Sequence, residues 1–115
     1  MLKQILEEFL SIDGVTAAAL VGRDGFVIEI VETYPTDSDA LGALCADSVQ
    51  FFERNGASMK MGSLRQLVFE YRNGVLILTP VTSDEFLAIL TDTTTVLGRL
   101  TYTLAKTCSR ISAVI

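Results

Sequence analysis

The sequence predicts an α+β sandwich, a sheet of five antiparallel strands with helices on both faces. Three observations carry this expectation. Residues 64–90 read as three strands joined by two short turns, and the first turn holds Asn73-Gly74, the pair a type I′ hairpin prefers. Residues 15–21 and 26–31 are two short apolar runs on either side of Gly22-Arg23-Asp24-Gly25. Apolar residues recur at helical spacing in three further stretches, near the two ends and in the middle. The order is helix, two strands, helix, three strands, helix, with no internal repeat, linker or low-complexity segment.

At 115 residues the chain forms one domain, large enough to bury a core without staples. Half of its residues are apolar and its charge is moderate, as in a globular protein. A net charge of −5 and the absence of any Lys/Arg cluster exclude nucleic acid as a partner, since phosphates need a basic surface. Glu7 and Glu8 interrupt the N-terminal apolar residues, so no signal peptide is expected. No apolar run approaches the length of a membrane span, and the protein is expected to be cytoplasmic.

The first helix carries Leu2, Ile5, Leu6, Phe9 and Leu10 on one stripe, with Lys3, Glu7 and Glu8 opposite, and Gly14 ends it. Residues 15–21 follow as a strand whose run Ala17-Ala18-Ala19 lets a helix pack closely. Gly22 to Gly25 make a tight turn into the second strand. Tyr34-Pro35 breaks that strand, and Thr36-Asp37-Ser38-Asp39 offers several N-caps for a long helix. That helix is expected to run to about Asn55, with Gly56 as its left-handed C-cap.

The long helix has too much apolar surface for one sheet. Leu41, Cys45, Ser48, Val49 and Phe52 form one stripe; Ala40, Ala43, Leu44 and Phe51 form a second beside it. Leaving Leu44 and Phe51 in water would forfeit about 1.5–3 kcal/mol each relative to burying them. A helix of a second subunit is the simplest cover, with Ala40 and Ala43 allowing close approach.

In the hairpin, a turn at Asn73-Gly74 pairs Arg72 with Val75, Tyr71 with Leu76, Glu70 with Ile77 and Phe69 with Leu78. Leu67, Phe69, Tyr71, Leu76 and Leu78 then share one face. Arg65, Gln66, Glu70 and Arg72 give the first of these strands the look of a sheet edge, and an open edge invites a partner. Residues 86–90, apolar without alternation, read as an interior strand covered on both sides. Thr91-Asp92-Thr93-Thr94 is expected to cap the last helix, whose stripe is Leu97, Leu100, Leu104, Cys108 and Ile111.

Little in the sequence points to catalysis. There is no histidine, which excludes His-based triads, His-ligated metals and imidazole acid–base chemistry. The loop 56–63 lacks the Gly-Lys-Ser/Thr ending of a phosphate cradle and precedes a strand, so it reads as a connector. Asp37, Asp39, Asp84 and Glu85 suit helix starts and exposed turns, with a weak divalent-cation site and, behind it, a general acid/base pair as the alternatives. Cys45 and Cys108 read as two buried free thiols, with a disulfide or redox role the alternative. The threonines of the last stretch read as caps and solvent-facing positions. Met59 and Met61 are expected to fill space under their loop, or else to form an adaptable contact surface.

Three motifs in succession resemble the Roadblock / dynein light-chain family. The first is Gly14-Val15-x-Ala17-Ala18-Ala19-Leu20-Val21-x-Arg23-Asp24-Gly25-x-Val27-Ile28. The second is Arg72-Asn73-Gly74-Val75-Leu76-Ile77-Leu78-Thr79-Pro80-Val81, and the third Phe86-Leu87-Ala88-Ile89-Leu90-Thr91-Asp92 with Leu97-Gly98-Arg99. The resemblance spans essentially the whole chain. It implies a longin/profilin-like sandwich, with the long helix on one sheet face and the two terminal helices on the other. It also implies a homodimer, or a heterodimer with a homologous chain, built by pairing the edge strand and packing the long helices. Those surfaces would be residues 64–72 and 40–52, with Ala40, Ala43, Leu44, Asp47, Phe51, Leu64, Gln66, Val68, Glu70 and Arg72 at the interface.

Bacterial and archaeal members regulate or scaffold Ras-like small GTPases, the gliding-motility polarity pair among them; eukaryotic members serve as dynein light chains or endosomal scaffold subunits. The implied function is therefore a non-enzymatic dimerisation and scaffold module that binds a small Ras-like GTPase or related NTPase. No catalytic, cofactor-binding or metal-binding residue is carried over. Unlike the gliding-motility regulators, this sequence ends at Ile115 soon after the last helix, so no tail-dependent effect on a GTPase is expected. Two other readings stay open. One is a small-molecule-sensing domain, with its pocket against Leu76 and Leu78; the other is a structural subunit of a larger scaffold or motor complex.

Overall fold

The computed structural model describes residues 1–93 and 97–115. Its elements are α1 (Leu2–Leu10), β1 (Val15–Gly22), β2 (Val27–Glu32), α2 (Ser38–Ser58), β3 (Leu67–Tyr71), β4 (Gly74–Pro80), β5 (Glu85–Thr91) and α3 (Leu97–Ser112). The strands form one antiparallel sheet in the order β2-β1-β5-β4-β3. β1 and β5 lie at its centre. Both are apolar on both faces because helices cover both sides, as the unbroken run 86–90 requires.

Two cores result. On one side Ile5, Leu6 and Phe9 of α1 and Leu100, Leu104 and Ile111 of α3 pack on Ala18, Leu20, Ile77, Leu87 and Ile89. On the other, Leu41, Cys45 and Val49 of α2 pack on Ala19, Val21, Leu76, Leu78, Phe86 and Ala88. Alternation along β1 sends Ala18 to one layer and Ala19 to the other, which lets helices approach from both sides. Leu76 and Leu78 are thereby buried under α2. Across the first layer, Arg110 grips the Glu8 carboxylate with both nitrogens, at 2.9 and 2.8 Å, tying α3 to α1. Hydrogen bonding to Arg110 holds the Glu8 carboxyl below its ordinary range.

The β1–β2 turn forms as the glycines suggest. Gly25 sits at φ +91° and donates to Gly22 O at 2.9 Å, while Asp24 Oδ1 accepts from the Phe26 N–H at 3.1 Å. Arg23 reaches from this turn to Glu53 of α2 as an ion pair.

Several sequence expectations need correction. The β3–β4 partners are Tyr71 with Gly74, Glu70 with Val75, Phe69 with Leu76, Val68 with Ile77 and Leu67 with Leu78. The turn residues are thus Arg72 and Asn73, and neither Asn73 nor Gly74 has a positive φ. Glycine is needed at 74 for a different reason: a Cβ there would lie 2.2 Å from the Thr91 carbonyl oxygen of β5. The shift moves each pair by an even count, so Leu67, Phe69, Leu76 and Leu78 still face α2.

Helix α2 passes through Gly56 and ends one turn later than expected. Lys60, at φ +57°, takes the left-handed position. Its N–H donates to Ala57 O (3.1 Å) and the Met61 N–H to Gly56 O (2.9 Å), the two bonds of a Schellman motif. Met59 and Met61 are exposed at 66% and 75%, and do not fill the loop. Thr91 and Thr107 are buried, not solvent-facing. Thr91 closes β5 and accepts from the Val75 N–H at 3.2 Å, so it is no helix cap; Thr94, the last of the expected cap residues, lies outside the described residues.

Both cysteines are free, Cys45 buried and Cys108 half-buried. Burial pushes the Cys45 thiol up to about 12 and raises Cys108 as well. With about 8.5 as the unfolded value, only the unfolded chain ionises as pH climbs past that point. The stability from burying the neutral thiol is therefore intact below about pH 8.5 and declines above it. Iodoacetamide at mildly alkaline pH should leave native Cys45 unlabelled and modify it once the chain is unfolded, read by mass spectrometry. Rapid labelling of native Cys45 would contradict the packing of α2 described here.

Candidate interaction surface

The surface is built on α2. Asp37 caps the helix, its Oδ1 accepting from the Ala40 N–H at 3.1 Å, and Asp39 in the first turn complements the helix dipole. One stripe, Leu41, Gly42, Cys45 and Val49, is buried against the sheet. Gly42 is what brings the helix so close: a Cβ there would stand 2.1 Å from the Gly25 carbonyl oxygen. The neighbouring arc is left in solvent. Ala40, Ala43, Leu44, Asp47 and Phe51 are all exposed, Leu44 at 53% and Phe51 at 55%.

Phe52, expected in the buried stripe, is 40% exposed and links helix to sheet. Phe51 stands edge-on to it, with ring centroids 5.1 Å apart, and Phe69 of β3 lies 6.3 Å away. β3 is the sheet edge on that side. Its Leu67 and Phe69 turn toward α2, as does Tyr71, whose ring is largely exposed. Beside Leu41, Leu44 and Leu76, Tyr71 lines an apolar hollow of about 320 Å³.

The expected interface residues therefore divide. The five on α2 lie together on its exposed arc. Among the strand residues, Val68 and Glu70 lie in β3 but alternate onto the α3 side of the sheet. Leu64 and Gln66 precede the strand and Arg72 sits in the turn, with Leu64 packed against the α2-side core. Phe52, Phe69 and Tyr71 join the α2 face and were not among the expected residues; the alternation of 67–71 placed the last two on that side. Among the described residues no His/Cys/Asp/Glu group could hold a metal ion. Nor is any described helix long and apolar enough to cross a membrane.

Comparison with known proteins places these features in a family. The model of the Roadblock/LC7 domain matches residues 1–91. Uncharacterized protein MJ0310 of Methanocaldococcus jannaschii is 27% identical over 113 residues, 98% of each chain. Among solved structures, MglB in a tetrameric arrangement superposes with a TM-score of 0.90 at 21% identity, covering 97% of this chain and 85% of that one. Profilin IA of Acanthamoeba castellanii superposes with a TM-score of 0.70 at 16% identity, covering 98% of both chains. The fold is a profilin-like sandwich.

Proposed function

This chain belongs to the Roadblock/LC7 family, and from that premise we propose that it is a non-enzymatic dimerisation and scaffold module of the cytoplasm that binds and regulates a small Ras-like GTPase or related NTPase. One observation supports this above others. The apolar arc of α2 (Leu44, Phe51 and Phe52) continues onto Tyr71 beside the open edge of β3. A lone subunit cannot cover that surface. A second copy, or a homologous chain, would pair β3 with β3 and pack α2 on α2, satisfying strand backbone and apolar side chains in one contact. The tetrameric arrangement of the MglB neighbour is compatible with such self-association.

Regulation would follow from repositioning the GTPase's own groups, since no side chain here is assigned a catalytic role. The test is a pull-down of purified Ras-like GTPases from the same organism, loaded with GDP or with a non-hydrolysable GTP analogue. Binding in at least one state is expected. Absence of binding in both states overturns the reading.

A further inference from the structure

The sheet has a second open side. β2 occupies the edge opposite β3 and pairs with β1 alone. Its outward backbone groups meet no further strand among the described residues. The side chains around it combine two properties. Phe26 and Ile28 are exposed at 73% and 53%, and share a hollow of about 370 Å³ with Asp24 and Asp84. The strip is also acidic: Asp24, Glu29 and Glu32 lie along the turn and strand, with Asp84 and Glu85 at the adjoining end of the sheet. Arg23, the basic residue of this strip, is already held by Glu53.

These properties narrow the occupant. Unpaired strand backbone accepts a guest in extended conformation. A second copy offering the same strand would set Glu29 and Glu32 against like charges, the usual protection of an edge from self-pairing. Carboxylates at the rim favour lysine or arginine, and the apolar hollow favours one greasy side chain among them. We infer that β2 is a docking edge for an extended, basic segment of a different protein, which adds as a sixth strand and lays an apolar side chain against Phe26 and Ile28. This edge is distinct from β3, although Asp24 and Phe26 also line a hollow with Ala43 and Asp47, so its rim adjoins the α2 face.

Fluorescence anisotropy with a short fluorescein-labelled peptide alternating lysine and valine tests it. The controls are the same peptide with glutamate for lysine, and one with alternate backbone amides N-methylated. Saturable binding of the lysine peptide is expected, and it should weaken about tenfold or more for the Glu29→Lys/Asp84→Lys double variant. The N-methylated and glutamate peptides should not bind. Leu44→Glu should leave binding unchanged, which separates this surface from the proposed dimer face. Equal affinity for the glutamate peptide, full affinity for the N-methylated one, or undiminished binding by the folded double variant each overturn the inference. So does a fall in the oligomeric state of the double variant, because a second copy would then be the occupant. If the double variant does not fold, the two control peptides on the unaltered chain decide.

Discussion

Leu44→Glu is expected to yield a folded monomer where the unaltered chain is dimeric at micromolar concentration. Leu44 is 53% exposed on α2 and contributes little to the chain's own core, so circular dichroism and melting should change little. Across a two-fold interface the effect is counted twice. Each copy loses about 1.5–3 kcal/mol of apolar burial and must also desolvate a carboxylate. With about 1.4 kcal/mol per tenfold in affinity, the dissociation constant should rise by well over a hundredfold. Multi-angle light scattering reads the outcome directly. A dimeric variant, or an unaltered chain that is already monomeric, would remove the interface assignment.

The second large effect is expected inside the chain, at Gly42. In an open helix, Gly→Ala stabilises by roughly 0.5–1 kcal/mol because alanine loses less backbone freedom. Here the new methyl would meet the Gly25 carbonyl oxygen at 2.1 Å, and that oxygen belongs to a tight turn closed by the Gly25 N–H bond to Gly22 O. α2 must lift instead, loosening Leu41, Cys45 and Val49. Gly42→Ala should therefore destabilise by about 1–3 kcal/mol, the usual cost of overpacking. Gly56, in the last turn of the same helix, is the internal control. Its nearest neighbour to an added Cβ is 3.6 Å away, so Gly56→Ala should stabilise by about 0.5–1 kcal/mol. Thermal melts of the two variants moving in the same direction would refute this account of how the helix is seated.

Element order, the presence of helices on both sheet faces and the edge position of β3 were legible from periodicity, because apolar spacing reports which side of an element is covered; which helix lies on which face came from the family resemblance. What escaped the sequence was set by contacts between distant segments. Gly74 follows Asn73 and imitates a turn signal, yet the approach of Thr91 from another strand is what requires it. Gly56 imitates a helix stop, but the helix continues until Lys60 takes the left-handed position and closes the Schellman bonds. Gly42 carried no local signal, because a glycine inside a helix shows its purpose only once the Gly25 turn is in place. The α2 part of the candidate surface was readable from its over-wide apolar arc. Its strand part was less so, since a one-residue choice of face separates Val68 and Glu70 from Phe69 and Tyr71.

The strand order also has a consequence for traffic through this molecule. β2 and β3 stand at opposite rims, four inter-strand steps or about 19 Å apart. The main chain of a guest strand on one rim would lie clear of one on the other. With both proposed guests in place, the domain would act as a splice, joining two unlike chains through a continuous ladder of main-chain bonds.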